Sequence, residues 1–226
     1  MDLILEERER YGHLRVANVS DALNRFGKQG GCEGIQSVFH PVNMVGRAYT
    51  VRCVPCGERS GTLGEFMEEV QAGDVVVIDN AGRIDCTVWG YLLTVAAKEK
   101  RISGALIEGA CRDLAILREE TFPVFSRGYF MKTGKGRVML DAVQVPVNVG
   151  GVSVCPGDWI IGDDSGVVIV EAGMSRNILP AAEEIKRLED QAAENVRRGM
   201  PLKEARERIG YHDLQSRKTT NPSESP

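Results

Sequence analysis

Two short apolar runs with a helical segment between them constrain the fold more than any other feature of this sequence. Val75–Asp79 and residues 104–107 each have the length and the apolar character of a strand that is buried on both faces. Residues 91–100, which lie between them, are rich in Leu, Ala, Glu and Lys and are predicted to form a helix. This order of elements is typical of parallel strands joined by a helical crossover, and it predicts an α/β fold.

The later part of the chain has a different pattern. Residues 143–154 are interrupted by two glycines, and residues 158–170 turn at Asp-Asp-Ser-Gly, so each is predicted to form an antiparallel hairpin. Residues 44–54 alternate, from Ala48 onward, as a strand with one solvated face does. Together these patterns indicate a mixed sheet rather than a Rossmann fold, and no GxGxxG motif follows a strand to bind a dinucleotide. Shorter elements are predicted as helices at residues 2–11, 21–26 (capped by Asn18 or Ser20), 62–71 and 114–120, and as a strand at residues 122–125.

Helices are predicted to follow the hairpins. From Pro180 to Gly199 the sequence carries a narrow apolar stripe on an otherwise charged helix, and residues 201–209 are predicted to form a second, shorter helix. Such a stripe suits packing against a neighbour, either the preceding domain or another subunit. The polar end of the chain has no large apolar residue and is expected to be disordered. The predicted divisions are a β/β/α domain over residues 1–172, a C-terminal helical extension over 173–215 and a disordered tail over 216–226.

Charge and hydropathy exclude several classes of function. The chain has 28 Lys and Arg residues against 32 Asp and Glu residues, and it lacks the basic stripe that nucleic-acid binding requires. It contains no run of about 18 apolar residues, and its first residues do not resemble a signal peptide. We therefore expect a soluble, cytoplasmic protein that binds neither nucleic acid nor membranes.

The cysteines and histidines do not form a recognisable motif. Six dispersed cysteines are expected to remain thiols in a reducing compartment. Cys53 and Cys56 have CxxC spacing, but no second pair or nearby His completes a zinc set, so we interpret them as small buried hydrophobic residues. The three histidines show no ligand or triad spacing.

A guanidinium and a carboxylate follow the second apolar run, separated from Ile107 by four residues. Arg112 and Asp113 stand at its outgoing end, and Gly90 opens the predicted helix, whose first N–H groups have no partners within the helix and can bind an anion. If this helix and strand are neighbours, these groups converge on one crevice, where open α/β folds bind ligands. The residues alone also allow Asp113 to cap a helix at 114–120, and Gly90 to serve only tight packing. Trp89 is predicted to be a packing aromatic.

Five stretches of the sequence, in order and with sensible spacing across residues 14–172, resemble the RraA-like superfamily. This superfamily includes the 4-hydroxy-4-methyl-2-oxoglutarate aldolases and oxaloacetate decarboxylases. The central block is the most specific part of the resemblance. The stretches are residues 73–79 (GDVVVID), 89–93 (WGYLL), 104–113 (GALIEGACRD), 122–128 (FPVFSRG) and 156–168 (PGDWIIGDDSGVV).

The resemblance implies a swivelling β/β/α domain, with a mixed sheet, that assembles into homotrimers or homohexamers with active sites between subunits. It implies that backbone amides at the start of the predicted helix bind the carboxylate of a pyruvate-like substrate. It further implies that the arginine binds this carboxylate or the 2-keto oxygen, and that the aspartate holds Mg²⁺ or Mn²⁺. The residues implied are Gly90, Tyr91, Leu92 and Leu93 for the amides, Arg112 for the substrate, Asp113 for the metal, and Arg112 with Asp113 for catalysis.

Two functions follow from this resemblance. The first is a divalent-metal-dependent lyase that cleaves a C–C bond of a 2-keto acid to give pyruvate, by retro-aldol cleavage of a 4-hydroxy-2-oxo acid or by decarboxylation of oxaloacetate. Both reactions pass through an enolate that positive charge stabilises. The second is a non-catalytic RraA-like protein that regulates a ribonuclease. It is motivated by Tyr91, which stands where the aldolases carry an acidic residue. Candidates to replace that acid in a lyase are Asp79, Asp85, and Glu183 or Glu184 of a neighbouring subunit.

Overall fold

A nine-stranded mixed sheet and a separate two-stranded hairpin form the centre of the molecule. The computed structural model describes residues 3–57 and 63–211. The strands are β1 (Gln36–Ser37), β2 (Asn43–Pro55), β3 (Val75–Asp79), β4 (Thr87–Trp89), β5 (Gly104–Cys111), β6 (Val124–Tyr129), β7 (Val138–Val143), β8 (Val147–Val149), β9 (Val152–Val154), β10 (Trp159–Asp163) and β11 (Gly166–Val170). The helices are α1 (Leu3–Gly12), α2 (Val16–Arg25), α3 (Tyr91–Glu99), α4 (Leu114–Glu119), α5 (Ser175–Arg197) and α6 (Leu202–Arg208), with short 3₁₀ turns at Glu65–Glu68 and Ala172–Met174.

The middle of the sheet is parallel and its flanks are antiparallel. Strands β2, β3, β5 and β6 are parallel neighbours, and β4 pairs parallel with the end of β5. Antiparallel pairs join β10 to β2 and to β11, β7 to β2, and β1 to β6. The sheet curves until a bridge between Gly31 and Val168 brings its two edges near each other. The fold confirms the predicted α/β class with a mixed sheet and a C-terminal helix.

Alternating side chains of the central strands fill different layers of the core. Val76 and Ile78 of β3 face the cluster that contains α3 and α4, whereas Val75 and Val77 face the interior of the curved sheet. All eight residues of β5 are buried. Parallel strands of this kind are packed against other elements on both faces, which explains why their sequences are continuous apolar runs. A third cluster packs α1, α2 and α5 against β10 and β11.

Helix α2 begins earlier than the sequence indicates. It starts at Val16 rather than at residue 21, so Asn18 lies in its first turn, where its side chain accepts a hydrogen bond from the backbone N–H of Arg15 at 3.3 Å. The first helical N–H, that of Val16, donates to Oδ2 of Asp163 at 2.9 Å. Because Asp163 is the last residue of β10, this cap is a tertiary contact that local sequence does not reveal.

Other boundaries also differ from the prediction. Helix α5 begins at Ser175 and contains Pro180, because Ile178 and Leu179 before this position and Ala182 after it are buried in the cluster with α1 and α2. The helix predicted at residues 62–71 is a single 3₁₀ turn in its described part. Strands β4 and β7 were not predicted, and they are three and six residues long. The predicted tail at residues 216–226 lies outside the described residues, and the divisions at 172 and 215 stay predictions.

Helix α5 is joined to α1 and α2 by ion pairs. Arg10 binds both carboxylate oxygens of Glu183, at 2.8 and 2.7 Å, and Arg25 pairs with Glu184 at 2.7 Å. Beyond these contacts, α5 and α6 share a small cluster of their own around Ala205. Within residues 3–57 and 63–211, no helix has both the length and the apolar composition needed to cross a membrane.

The Arg10–Glu183 pair predicts a dependence of stability on pH. The hydrogen bonds from Arg10 lower the pKa of Glu183. The pair therefore stabilises the fold above the unfolded pKa of a glutamate, roughly 4.3, and loses this effect as pH falls through the folded-state pKa. Because the side chains are 37% and 38% exposed, water screens the pair and its contribution is about 0.5–1 kcal/mol.

Urea unfolding of parent and Glu183→Gln at neutral pH and at about pH 3 checks this expectation. The variant should be less stable at neutral pH and equal to the parent in acid. Glu204→Gln, which breaks an exposed pair with Arg208 on α6, is the control. The same difference between parent and Glu183→Gln at both pH values contradicts the assignment.

Candidate active site

The carboxyl ends of β4 and β5 lie side by side at one edge of the sheet. The two strands are parallel, with Trp89 opposite Cys111, and the backbone N–H of Arg112 donates to the carbonyl oxygen of Trp89 at 3.0 Å. Directly beyond, β4 leads into α3 at Gly90, and β5 leads into Arg112 and Asp113. The expected convergence of the helix start and the Arg-Asp pair is therefore present, while their binding and catalytic roles stay predictions.

Asp113 joins the two halves of this edge. Its φ of 62° is left-handed, a conformation in which Asp is enriched among non-glycine residues. Its Oδ2 atom accepts a hydrogen bond from the backbone N–H of Tyr91 at 2.9 Å. The side chain makes no capping hydrogen bond to α4, the helix that follows it. The alternative in which Asp113 caps only that helix is therefore wrong, because its carboxylate caps α3.

Arg112 lies beside this carboxylate and is open to solvent. Its Nε atom is 3.6 Å from Oδ2 of Asp113, and the two side chains are 40% and 34% exposed. An ion pair with this exposure adds little to stability because water screens it and two side chains must be ordered. The guanidinium and the carboxylate thus lie on the same open surface, where a ligand can reach both.

The first amides of α3 complete the arrangement. The N–H of Tyr91 donates to the carboxylate of Asp113. No residue in the described part of the chain accepts a hydrogen bond from the N–H of Leu92 or Leu93. Unpaired amides at the positive end of a helix dipole favour an anion. The side chains of Tyr91 and Leu92 are 43% and 79% exposed, whereas Leu93 packs against the core. A carboxylate is the anion that fits beside a guanidinium of this kind.

Gly90 is required by the space that its neighbours occupy. Its φ of −173° is extended, which any residue can adopt. A Cβ atom at this position, however, would lie 2.7 Å from Oδ2 of Asp113 and 3.1 and 3.2 Å from Cγ and Nε of Arg112. The missing side chain therefore lets both charged side chains approach the start of α3.

The donor set at this edge fits a hard divalent cation. No group of three or more His, Cys, Asp or Glu side chains among the described residues is placed to hold a metal. Mg²⁺ keeps several waters and is often held by one or two carboxylates and the substrate, so a single carboxylate such as that of Asp113 is compatible with such a site. The candidate replacement acids have other partners within the chain: Asp79 accepts from the amides of Ala81 and Asn148, Asp85 pairs with Arg83, Glu183 with Arg10, and Glu184 with Arg25.

A second charged pair at the same edge was missed in the sequence analysis. Glu108 is 8% exposed and binds Arg127 through both carboxylate oxygens, at 2.5 and 2.9 Å. Its Oε2 atom also accepts from the N–H of Gly150, at 2.7 Å, and its carbonyl accepts from the amides of Asn80 and Gly82. The pair therefore joins three loops at the carboxyl ends of the strands. The sequence signal that could have identified this pair is Glu108, a charged residue inside an otherwise apolar strand.

The buried thiols are chemically quiet. Burial raises the pKa of Cys53 to about 12, and burial together with the nearby Glu108 carboxylate raises the pKa of Cys32 to about 12. Both thiols are therefore protonated near neutral pH. This agrees with the interpretation of Cys53 as a small buried hydrophobic residue, whereas the same interpretation is wrong for Cys56, which is only partly buried.

Comparison with known proteins decides the family. A family model named RraA-like and described as Aldolase/RraA matches residues 16–169, which include β4, α3, β5 and Asp113. The chain belongs to the RraA-like family. The match covers the whole sheet and begins with α2, so the RraA-like core is the part of the molecule that carries the candidate site.

Two curated proteins are similar to this RraA-like chain. Protein DlpA of Legionella pneumophila is 36% identical over 199 residues, which cover 86% of this chain and 32% of DlpA. The chain thus spans about one third of the length of DlpA. A protein of Halalkalibacterium halodurans with the provisional name 4-hydroxy-4-methyl-2-oxoglutarate aldolase is 35% identical over 184 residues, 79% of this chain and 82% of that protein.

A solved structure shares the fold. The crystal structure of an uncharacterized protein from Pseudomonas syringae pv. tomato has a TM-score of 0.84 and 35% sequence identity to this chain. The likeness covers 89% of this RraA-like chain and 97% of that one. Because it extends beyond residues 16–169, it includes part of the helices that flank the RraA-like core.

The space around Gly90 generates a prediction. Gly90→Ala should fold, because the added methyl meets side-chain atoms of Asp113 and Arg112 rather than backbone. It should displace the Asp113 carboxylate and break its hydrogen bond to the N–H of Tyr91. A crystal structure of the variant checks this, with thermal unfolding to confirm the fold. Gly128→Ala on β6, whose methyl would meet Cγ2 of Ile84 at an ordinary 3.5 Å, is the matched control. An unmoved Asp113 in Gly90→Ala refutes the geometric account.

Proposed function

We propose that this RraA-like chain is a divalent-metal-dependent lyase that cleaves a C–C bond of a 2-keto acid to give pyruvate. The reaction is retro-aldol cleavage of a 4-hydroxy-2-oxo acid, decarboxylation of oxaloacetate, or both. The observation that carries the proposal is the meeting of Asp113, Arg112 and the start of α3 at one open edge. The provisional aldolase name of a relative that is 35% identical supports the same choice. The six free cysteines suit a cytoplasmic enzyme.

The residues of the edge have separate roles in this proposal. The planar guanidinium of Arg112 binds the substrate carboxylate or the 2-keto oxygen, and the unpaired amides of Leu92 and Leu93 bind the carboxylate. Asp113 holds the cation, and Mg²⁺ or Mn²⁺ there would supply Lewis-acid stabilisation of developing negative charge. When the C–C bond breaks, its electron pair moves onto the pyruvate part as an enolate. In the retro-aldol reaction water takes the proton of the 4-hydroxyl group, whose oxygen becomes the carbonyl of the second product, and in the decarboxylation the second product is CO₂. The enolate carbon then takes up a proton from water to give pyruvate. The positive charge of Arg112 and the helix dipole already face the position where this charge develops.

We also propose that the sites lie between subunits of a homotrimer or homohexamer. Tyr129, the neighbour of Cys111 on β6, and Met131, two residues further on, are 70% and 77% exposed. Tyr91 and Leu92 are exposed on the same side of the sheet edge. Exposed apolar side chains gathered around one site favour cover by another molecule, and a second subunit would also exclude water from the substrate.

Substitutions at the Arg-Asp pair test the lyase proposal. Pyruvate release is measured from oxaloacetate and from a 4-hydroxy-2-oxo diacid with added Mg²⁺ or Mn²⁺. Asp113→Ala should abolish it by removing the cation ligand, and EDTA should abolish it reversibly. Arg112→Ala should raise KM by about 10- to 100-fold, because a charged hydrogen bond is worth about 1.5–3 kcal/mol.

The control for this experiment is Asp141→Ala, which removes an exposed carboxylate that pairs with Arg52 on β2. It should leave pyruvate release unchanged. Equal turnover by Asp113→Ala and the parent overturns the metal assignment. Absence of EDTA-sensitive release by the parent from every such substrate overturns the lyase itself.

The assembly is tested by sedimentation and activity together. The parent should sediment as a trimer or hexamer, and Met131→Glu should shift it toward smaller species with reduced pyruvate release, because a charge replaces an apolar contact. Leu202→Glu, at a 52% exposed position on α6, should change neither. A parent that is fully active as a monomer contradicts the shared site.

Regulation of a ribonuclease without catalysis is the alternative that Tyr91 motivated. The arrangement of Asp113 and Arg112 at the start of α3 favours the lyase, because a silent site has no need of an exposed carboxylate beside an exposed guanidinium. A parent that binds a purified ribonuclease and releases no pyruvate from any of these substrates would reverse the choice.

A further inference from the structure

The peptide unit between Gly90 and Tyr91 is held at both of its ends. Its N–H donates to Oδ2 of Asp113 at 2.9 Å. Its carbonyl oxygen accepts two hydrogen bonds from Thr94, one from the backbone N–H at 3.1 Å and one from the hydroxyl Oγ1 at 3.0 Å. A peptide unit is planar and stiff, so a contact that fixes the carbonyl also fixes the direction of the N–H. The hydroxyl of Thr94 therefore bears on the position of the Asp113 carboxylate.

The Thr94 hydroxyl is itself fixed by a buried aromatic ring. The indole Nε1 of Trp89 donates to Oγ1 of Thr94 at 2.9 Å. Thr94 is 0% and Trp89 2% exposed, and the indole stacks on Phe122 with centroids 5.9 Å apart and planes 4° from parallel. A hydroxyl donates one hydrogen bond and accepts others, so both of its roles are used here. The indole cannot move without disturbing the stacked pair.

Trp89 also contacts the second charged residue of the site. Its carbonyl oxygen accepts from the backbone N–H of Arg112 at 3.0 Å. The side chain of Trp89 thus holds the Gly90 carbonyl through Thr94. The backbone carbonyl of Trp89 holds the start of the segment that carries Arg112 and Asp113. A threonine hydroxyl that bonds to the carbonyl four residues earlier is common in helices. The buried indole partner distinguishes this one, because it ties the helix start to the core.

We propose that Thr94, anchored by Trp89, is a positioning residue that orients the Gly90–Tyr91 peptide and, through it, the Asp113 carboxylate. Thr94 does not touch the substrate. Its effect on turnover rests on the proposed lyase function, but its effect on the peptide does not. The two are therefore measured separately.

The peptide is observed by NMR of the full chain labelled with ¹⁵N-tyrosine. The chain has five tyrosines, so five amide signals are expected. Tyr91→Phe removes one signal and assigns it. In Thr94→Val the Tyr91 amide should shift in the direction that Asp113→Ala sets, because the N–H loses its alignment with the carboxylate. Thr94→Ser keeps the hydroxyl and should leave the signal near its parental position.

Two further variants secure this test. Thr50→Val is the matched control. Thr50 is also 0% exposed, and its hydroxyl also donates to a backbone carbonyl oxygen, that of Val145. It lies on β2, on the far side of β3 from the site. This variant should leave the Tyr91 signal unchanged. Trp89→Phe keeps a ring on Phe122 but removes the indole donor. It should move the signal in the same direction as Thr94→Val, which keeps the proposal testable if Thr94→Val fails to fold.

Pyruvate release supplies the second readout. Thr94→Val should lower kcat/KM by about 10- to 100-fold, since a small misplacement of catalytic groups can cost that much. Thr94→Ser should restore most of the loss, and Thr50→Val should show none. A Tyr91 signal that stays in place in Thr94→Val overturns the proposal, as does a Thr94→Val enzyme as active as Thr50→Val. A signal that moves in a protein whose parent releases no pyruvate refutes the lyase and leaves the positioning role supported.

Discussion

The hydrogen bond from the N–H of Tyr91 to the carboxylate of Asp113 is the interaction on which the candidate site depends. It joins the outgoing ends of β4 and β5, two consecutive strands that α3 connects and that are adjacent in the sheet. The bond has a second consequence for the same carboxylate. It orients the Asp113 side chain toward the open edge, where Arg112 and the unpaired amides of α3 also lie. In the proposed function, Asp113, Arg112 and these amides bind one ligand together, so the loss of any one of them weakens the shared site.

This arrangement requires a rigid support, and the sheet provides it. Strand β5 is buried along its whole length, and the strands beside it are covered on both faces. The partly buried ion pair of Glu108 with Arg127 holds the loops at the carboxyl edge, so the residues that follow β5 leave from a fixed position. The exposed charges of the site contribute little to stability, so the fold does not depend on them. Fold and site thus depend on different interactions.

The sequence predicted what local pattern and composition determine. The strands β3 and β5 follow from the length and apolar character of their runs, α3 follows from composition, and the two late hairpins follow from their turn residues. The Arg-Asp pair was found because it follows a buried strand. The strand β4 was missed because three residues are too few for a periodic signal, yet its pairing with β5 places Gly90 beside Asp113. The start of α2 was missed because its cap comes from Asp163, at the end of the distant strand β10. Contacts of this kind are decided by tertiary structure, so no local rule predicts them.

The most direct test of the central claim is a crystal structure of the parent protein grown with Mn²⁺ and oxalate, an analogue of the pyruvate enolate. The account predicts anomalous scattering from one Mn²⁺ next to the Asp113 carboxylate, with a carboxylate of oxalate on the amides of Leu92 and Leu93 and on the guanidinium of Arg112. Mn²⁺ bound away from Asp113, or oxalate bound away from the start of α3, would contradict it.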